Sequence, residues 1–130
     1  EKVHTLKARV LQIKQVEAGE TIGYNRVGEK DKAGKVAIIN IGYADGFMRL
    51  AGNGLHKVFI KNVLYPVIGN INMDLTIVDI GESQDVFVGD EVEIFGKNVA
   101  VESLAKVCQT IPYEIISRIA PRVRRVFVKG

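Results

Sequence analysis

The chain has 130 residues, 47% hydrophobic and 25% charged, with a net charge of 18 − 15 = +3. That length fits one domain, residues 1–130, able to bury roughly two-thirds of its unfolded surface, and the composition is that of an ordinary globular protein. The charge is too weak to point to nucleic acid, and no run is long and apolar enough to span a bilayer. The single cysteine, Cys108, excludes an internal disulfide and reads as a cytosolic thiol. The opening Glu1-Lys2-Val3-His4 does not read as a signal peptide, and without an initiator methionine it fits a piece of a longer chain.

Apolar runs are short and punctuated by glycine, the pattern of a β-rich domain. Candidate strands cover residues 3–16, 37–42, 57–60, 63–71, 75–79, 91–95 and 122–128. In the first, Leu6, Ala8 and Val10 share one parity while Leu11 and Ile13 take the other. A bulge near Val10 would cause this switch, as would burial on both faces. Ala18-Gly19-Glu20 and Gly89-Asp90-Glu91 read as turns. Lys61-Asn62, between Ile60 and Val63, has the length of a two-residue hairpin turn but lacks glycine.

The pattern changes after residue 100. Val101, Leu104, Ala105 and Cys108 form a helical stripe. Thr110-Ile111-Pro112 reads as a second helix start, with threonine as the cap and proline in the first turn. Ile111, Ile115 and Ile119 continue at i+4 spacing, and Pro121 fits a stop just before it. These elements predict a mainly β, barrel-like domain with one or two short helices near the C-terminus. Closure would remove exposed edges, but the pattern alone does not separate barrel from sandwich.

Three patches could carry chemistry. Ile41-Gly42-Tyr43-Ala44-Asp45-Gly46 follows an apolar strand, and its glycines permit a sharp turn and close approach to a ligand. Its Tyr43 is either a surface tyrosine or an acid–base group. With Gly52-Asn53-Gly54 it forms a stretch too long for a plain hairpin, as functional loops often are. In Gly69-Asn70-Ile71-Asn72-Met73-Asp74, methionine is ordinarily core filler. Here it lies between polar residues, at a strand junction that would leave its backbone amide free to donate. Asp74 would cap or order that turn. In Thr110-Ile111-Pro112-Tyr113-Glu114, a helix start would present amides to an anion such as phosphate, and Tyr113 could add a hydroxyl.

Other chemistries find no support. His4, His56 and Cys108 have no zinc spacing, and there is neither a phosphate-binding lysine loop nor a serine nucleophile elbow. Arg118, Arg122, Arg124, Arg125 and Lys129 alternate with Val123, Val126 and Val128, which reads as a strand with one solvated face. A non-enzymatic β-barrel binding module using its loops and this basic strand is the alternative function. Single-strand binders of that kind need aromatic platforms over a basic groove. This chain has no tryptophan, and its tyrosines sit largely in glycine or proline turns.

Taken in order, the three patches resemble the C-terminal domain of alanine racemase. Ala18-Gly19-Glu20-Thr21-Ile22-Gly23-Tyr24, Gly89-Asp90-Glu91-Val92 and Arg122-Val123-Arg124-Arg125-Val126 support the match, from about Arg9 to Phe127. The resemblance implies a two-domain, cytoplasmic, homodimeric enzyme dependent on pyridoxal 5′-phosphate. Such an enzyme interconverts L- and D-alanine and supplies D-alanine for peptidoglycan. It also implies an N-terminal barrel domain carrying the cofactor lysine, which does not match this chain, so the fragment should be inactive alone.

By the same resemblance, Tyr43 is the acid–base group on one face of the substrate α-carbon, opposite the lysine. Met73 helps hold the substrate carboxylate through its main-chain amide. Tyr113 contacts the cofactor phosphate and narrows the access channel. Tyr43 and Met73 would serve the partner subunit's cofactor, and Tyr113 its own. A free tyrosine has a pKa near 10, so a tyrosinate needs electrostatic help. No residue of the chain is read as giving it, which assigns it to the barrel. The chain departs from many family members at Asn70, Asn72 and Leu75, where they carry arginine, cysteine and glutamine. Those positions bear on channel lining and substrate range; Tyr43, Met73 and Asp74 are intact.

Overall fold

The computed structural model describes residues 4–17, 21–22, 28–29 and 33–124. Eight strands appear among them: β1 (Leu6–Val16), β2 (Thr21–Ile22), β3 (Gly28–Glu29), β4 (Gly34–Ile39), β5 (Lys57–Ile60), β6 (Val63–Pro66), β7 (Thr76–Gly81) and β8 (Glu91–Phe95). Two helices follow, α1 (Val101–Val107) and α2 (Pro112–Ser117). β2 and β3 pair with each other. The other strands form one antiparallel sheet in the order β6-β5-β8-β1-β4-β7.

That sheet nearly closes on itself. Just after β6, Val67 bridges Val78 of β7, the opposite edge. Ile68 N–H then donates to the Ile77 carbonyl at 2.9 Å. The result is an almost closed barrel, which satisfies edge groups that would otherwise stay open. Its inward faces supply Val10, Ile39, Val58, Ile60, Val78, Val92 and Ile94 to one core. Leu104, Ala105 and Cys108 of the α1 stripe and Ile115 of α2 join the same cluster. Burying each large aliphatic side chain stabilises the fold by about 1.5–3 kcal/mol.

Several local expectations are met. The register passes from Val10↔Ile39 to Gln12↔Ile38, so Leu11 is the bulged residue. Leu11 is 49% exposed, which removes burial on both faces as the cause of the parity switch there. Lys61 and Asn62 both adopt positive φ, 46° and 70°, between the paired residues Ile60 and Val63. That is the conformation a type I′ hairpin turn requires, reached here without glycine. Phe87 and Asp90 close the turn before β8, with Gly89 at φ 93°.

Other boundaries move. Residues 67–71 fall outside β6, and only the Val67 bridge and the Ile68–Ile77 hydrogen bond tie them to β7 among the described residues. Residues 122–124 are not a strand, and 125–128 of that expected strand lie outside the described residues, as does the Ala18-Gly19-Glu20 turn. Thr110 is not the cap of α2. Ile111 occupies the cap position with extended backbone, Pro112 is in the first turn, and the Thr110 hydroxyl pairs with the Glu114 carboxylate instead. Ile115 is buried while Ile111 is 62% exposed, so the isoleucine stripe is only partly core. α2 ends at Ser117, ahead of Pro121, with Arg118 as its C-cap.

His56 is buried with the core. Its Nε2–H donates to the Ile94 carbonyl at 2.8 Å, and its ring meets Phe47 edge-on at 5.9 Å. Burial lowers its pKa from the ordinary 6.5, against a smaller upward pull from the Ile94 hydrogen bond. The unfolded chain therefore binds a proton that the fold resists. Stability should hold above about pH 6.5 and decline as pH falls below it, by at most about 1.4 kcal/mol per pH unit. Melting temperatures of the domain between pH 7.5 and 5.5 should show this slope, and His56→Gln should flatten it. An equal slope in both proteins would assign the pH dependence elsewhere.

Candidate functional site

β4 and β7 are antiparallel neighbours whose last ladder pair is Ile39↔Thr76. The chain leaving β4 and the chain entering β7 are therefore side by side. The Thr76 hydroxyl, fully buried, donates to the Ile41 carbonyl at 2.6 Å and seals this end of the ladder. Beyond it, Tyr43 N–H donates to the Asn72 carbonyl at 3.0 Å and Ala44 N–H to the Met73 carbonyl at 2.9 Å. A Cβ on Gly42 would lie 2.3 Å from both of those carbonyl oxygens. Only glycine permits this approach. The close approach expected of this glycine turn is thus to the protein's own backbone.

Tyr43–Asp45 forms a single 3-10 turn that ends at Gly46, with φ 110°. A Cβ on Gly46 would lie 2.6 Å from the Arg118 carbonyl oxygen at the end of α2. The tyrosine turn is thus wedged between the Met73 turn and α2. Gly52-Asn53-Gly54 packs beside them. Asn53 N–H donates to the Gly69 carbonyl at 2.8 Å, and its side-chain amide donates to Asn70 Oδ1 at 2.9 Å. Asn70, one of the three departures from the family pattern, is committed to that contact.

Charge completes the cluster. The Asp45 carboxylate accepts from Gly42 N–H at 2.9 Å and from Arg122 Nε at 2.6 Å. Arg122 Nη2 donates to Asp74 at 2.8 Å. Ala120 N–H donates to the Asp45 carbonyl at 3.0 Å. Hydrogen bonds donated to Asp45 first, then to Asp74, push the guanidinium pKa further above its usual value. Arg122 therefore does not stand on a solvated strand face, as its alternation with valines suggested. It is engaged with two carboxylates, which weakens the basic-strand binding reading.

The three candidate residues fall as follows. Tyr43 is 44% exposed and Met73 53%, on adjacent turns. The Met73 carbonyl is used by Ala44, while its N–H meets no acceptor among the described residues. That is the free amide the sequence led us to expect. Tyr113 is 77% exposed on the first turn of α2. Its helix meets the Tyr43 turn at the other end, where the Arg118 carbonyl lies against Gly46 and, just beyond, Ala120 N–H donates to Asp45. The expected helix-start anion site is reduced. Pro112 has no N–H, Glu114 and Ile115 both donate to the Ile111 carbonyl, and Glu114 itself places a carboxylate there.

An open groove of about 400 Å³ runs beside the tyrosine, lined by Tyr43, Gly46, Met48, Arg49, Leu50 and Arg118. The Arg49 guanidinium lies over the Tyr43 ring, 5.6 Å from its centroid, in cation–π geometry. Sequence reading found no charge in the chain to serve this phenol, and it missed Arg49. The signal available was position alone, six residues beyond Tyr43 in a loop of unknown path. Cys108 is 2% exposed, and burial pushes its thiol pKa up, so it is no nucleophile. No His, Cys, Asp and Glu cluster suited to a metal, and no helix long and apolar enough to cross a membrane, occurs among the described residues.

Residues 3–127 match the sequence model of the alanine racemase C-terminal domain. The chain is 35% identical over 127 residues to an alanine racemase of Vibrio parahaemolyticus, covering 98% of this chain and 35% of that one. The biosynthetic alanine racemase of Pseudomonas aeruginosa superposes with a TM-score of 0.90 at 30% identity, over 96% of this chain and 35% of that chain. The alanine racemase of Bartonella henselae, solved with covalently bound pyridoxal phosphate, gives 0.89 at 32% identity, over 95% and 34%. The chain thus spans about a third of the length of these relatives. With sequence and fold matching from end to end, and the paired tyrosine and methionine turns set in that frame, the chain belongs to the alanine racemase C-terminal domain family.

Proposed function

We propose that this chain is the C-terminal domain of a pyridoxal-phosphate-dependent alanine racemase that interconverts L- and D-alanine in the cytoplasm for peptidoglycan synthesis. The observation that carries the reading is the pairing of the Tyr43 turn with the Met73 turn. An exposed phenol and an amide without an acceptor among the described residues lie on adjacent backbone segments, in a chain of this family. In this reading an N-terminal barrel domain supplies the cofactor lysine, and a homodimer brings the two domains of different subunits together.

Each residue has one task. The Tyr43 side chain takes a proton from a single face of the substrate α-carbon as the phenolate, becoming the phenol, or returns one to that face as the phenol, becoming the phenolate. A second group on the other face, the barrel lysine, does the reverse, so the product need not turn over between steps. The Met73 N–H, with no acceptor among the described residues, donates to the substrate carboxylate and orients the α-carbon toward the phenol. The Arg49 guanidinium over the ring limits the directions in which that phenol can point. The Tyr113 hydroxyl donates to the cofactor phosphate. The bound cofactor supplies the electron sink for the carbanion at the α-carbon. The donors present suit such an anionic ligand as contacts; the covalent anchor is assigned to the barrel.

Mixed with pyridoxal phosphate and L-alanine, the isolated domain should give no racemisation and no absorbance from lysine-bound cofactor. Activity in that mixture would show that the lysine is not on another domain. In the full-length parent, Tyr43→Phe should lower kcat by about 10²–10⁴ and leave the circular dichroism unchanged. An unaltered rate would remove Tyr43 from the mechanism. Met73→Ala should change KM for alanine by less than about threefold, because the backbone amide remains and truncation of an exposed side chain has a small effect. A KM rise of tenfold or more would move the role from the amide to the thioether.

A further inference from the structure

Among the described residues, Arg122 is the side chain that hydrogen-bonds to both turns of the proposed site. It lies 77 residues from Asp45 and 48 from Asp74. At one end its Nε donates to Asp45 at 2.6 Å. The other oxygen of that carboxylate accepts the Gly42 N–H at 2.9 Å, at the cap of the turn that bears Tyr43. At the other end its Nη2 donates to Asp74, next to Met73, at 2.8 Å. A planar guanidinium offers donors at fixed angles, so two carboxylates held by one such fork are held at a fixed separation.

We propose that Arg122 is a positioning residue. It fixes the Tyr43 phenol relative to the Met73 amide by bridging the carboxylates of Asp45 and Asp74. This rests on the proposed function of those two groups. The two turns would stay tied without it, through the Tyr43–Asn72 and Ala44–Met73 backbone bonds and the close fit at Gly42. Removing Arg122 therefore spares the fold and frees the tilt of the 3-10 turn. The Asp45 side chain, 12% exposed, loses its counter-charge, and the Asp74 side chain, 53% exposed, swings into solvent. Proton transfer between a phenol and a carbon is sensitive to such a tilt. A misplacement of about 1 Å can cost about 10²-fold in rate.

The test is a double-mutant cycle in the full-length parent, reading kcat, cofactor content and melting temperature. Arg122→Gln should lower kcat by about 10- to 100-fold with cofactor content unchanged. In a Tyr43→Phe background the same substitution should cost less than about threefold, because a residue acting through Tyr43 has nothing left to position. Arg122→Lys keeps the charge but cannot span both carboxylates, so it should not restore kcat. An equal factor in both backgrounds, or full rescue by lysine, would overturn the positioning role. If Arg122→Gln fails to fold, Asp74→Asn opens only the exposed end of the bridge and goes through the same cycle, with the same criterion. Should Tyr43→Phe itself prove silent, the function assigned to Tyr43 fails. A crippling Tyr43→Phe with a silent Arg122→Gln removes the Arg122 proposal alone.

Discussion

The site depends on a contact that admits no side chain. Gly42 lies against the carbonyls of Asn72 and Met73 so closely that a Cβ would sit 2.3 Å from either oxygen. Such an approach is possible only where the backbone is bare. Once made, it lets two successive amides, of Tyr43 and Ala44, pair with two successive carbonyls. The pairing consumes the Met73 carbonyl and leaves its amide pointing elsewhere. A phenol and an amide that meets no acceptor among the described residues thereby share one rigid edge, although 30 residues separate them in sequence (73 − 43 = 30).

The barrel brings these segments together. β4 and β7 are adjacent in the sheet, and their ladder ends at Ile39↔Thr76. Whatever follows β4 must then lie beside whatever precedes β7. The Thr76 hydroxyl caps the Ile41 carbonyl in a fully buried setting, where an unsatisfied acceptor would be costly. The Val67–Val78 bridge, which nearly closes the barrel, fixes the other flank of the Met73 segment. α2 closes the arrangement from a third side, through the Arg118 carbonyl at Gly46 and the Ala120 amide at Asp45. Backbone contacts supply most of this scaffold, so it constrains side chains at few positions apart from the glycines.

The fold was largely legible in the sequence where its causes are local. The parity switch near Val10 admitted a bulge or burial on both faces, Lys61-Asn62 had the length of a hairpin turn without its glycine, and the stripe through Leu104 and Cys108 marked α1, because strand and helix periods act over a few residues. Thr110 was misread for a related reason. A threonine two residues before proline resembles a cap, but the helix starts one residue later, and the hydroxyl meets Glu114 instead. What the sequence could not display was the glue between patches. Asp45, Asp74 and Arg122 each look like ordinary turn or surface residues in their own neighbourhoods. Arg122 in particular sits in an alternating run whose simplest reading is a solvated strand. Only the closed sheet brings its guanidinium to both aspartates. Tyr43, Met73 and Tyr113 could be named as candidates from their local patches, and the family resemblance set Tyr113 apart from the other two; the backbone pairing that joins the Tyr43 and Met73 turns could not be read from sequence.

The exposure of the site residues is itself informative under the proposed function. Tyr43, Met73 and Tyr113 are 44%, 53% and 77% exposed, and Leu50 and Ile111 near them are 49% and 62% exposed. A proton transfer at carbon requires that water be excluded and that the acid–base group face its substrate within a closed cavity. Nothing in the described residues provides that cover. The groove beside Tyr43 opens outward, with Arg49 and Arg118 on its walls. The functional groups therefore stand on a surface built to be covered, held from behind by glycine contacts and by Arg122. In that reading the rigidity lies in this domain and the enclosure belongs to another. Under the proposed function, a division of that kind would leave a site arranged here without the means to turn over on its own.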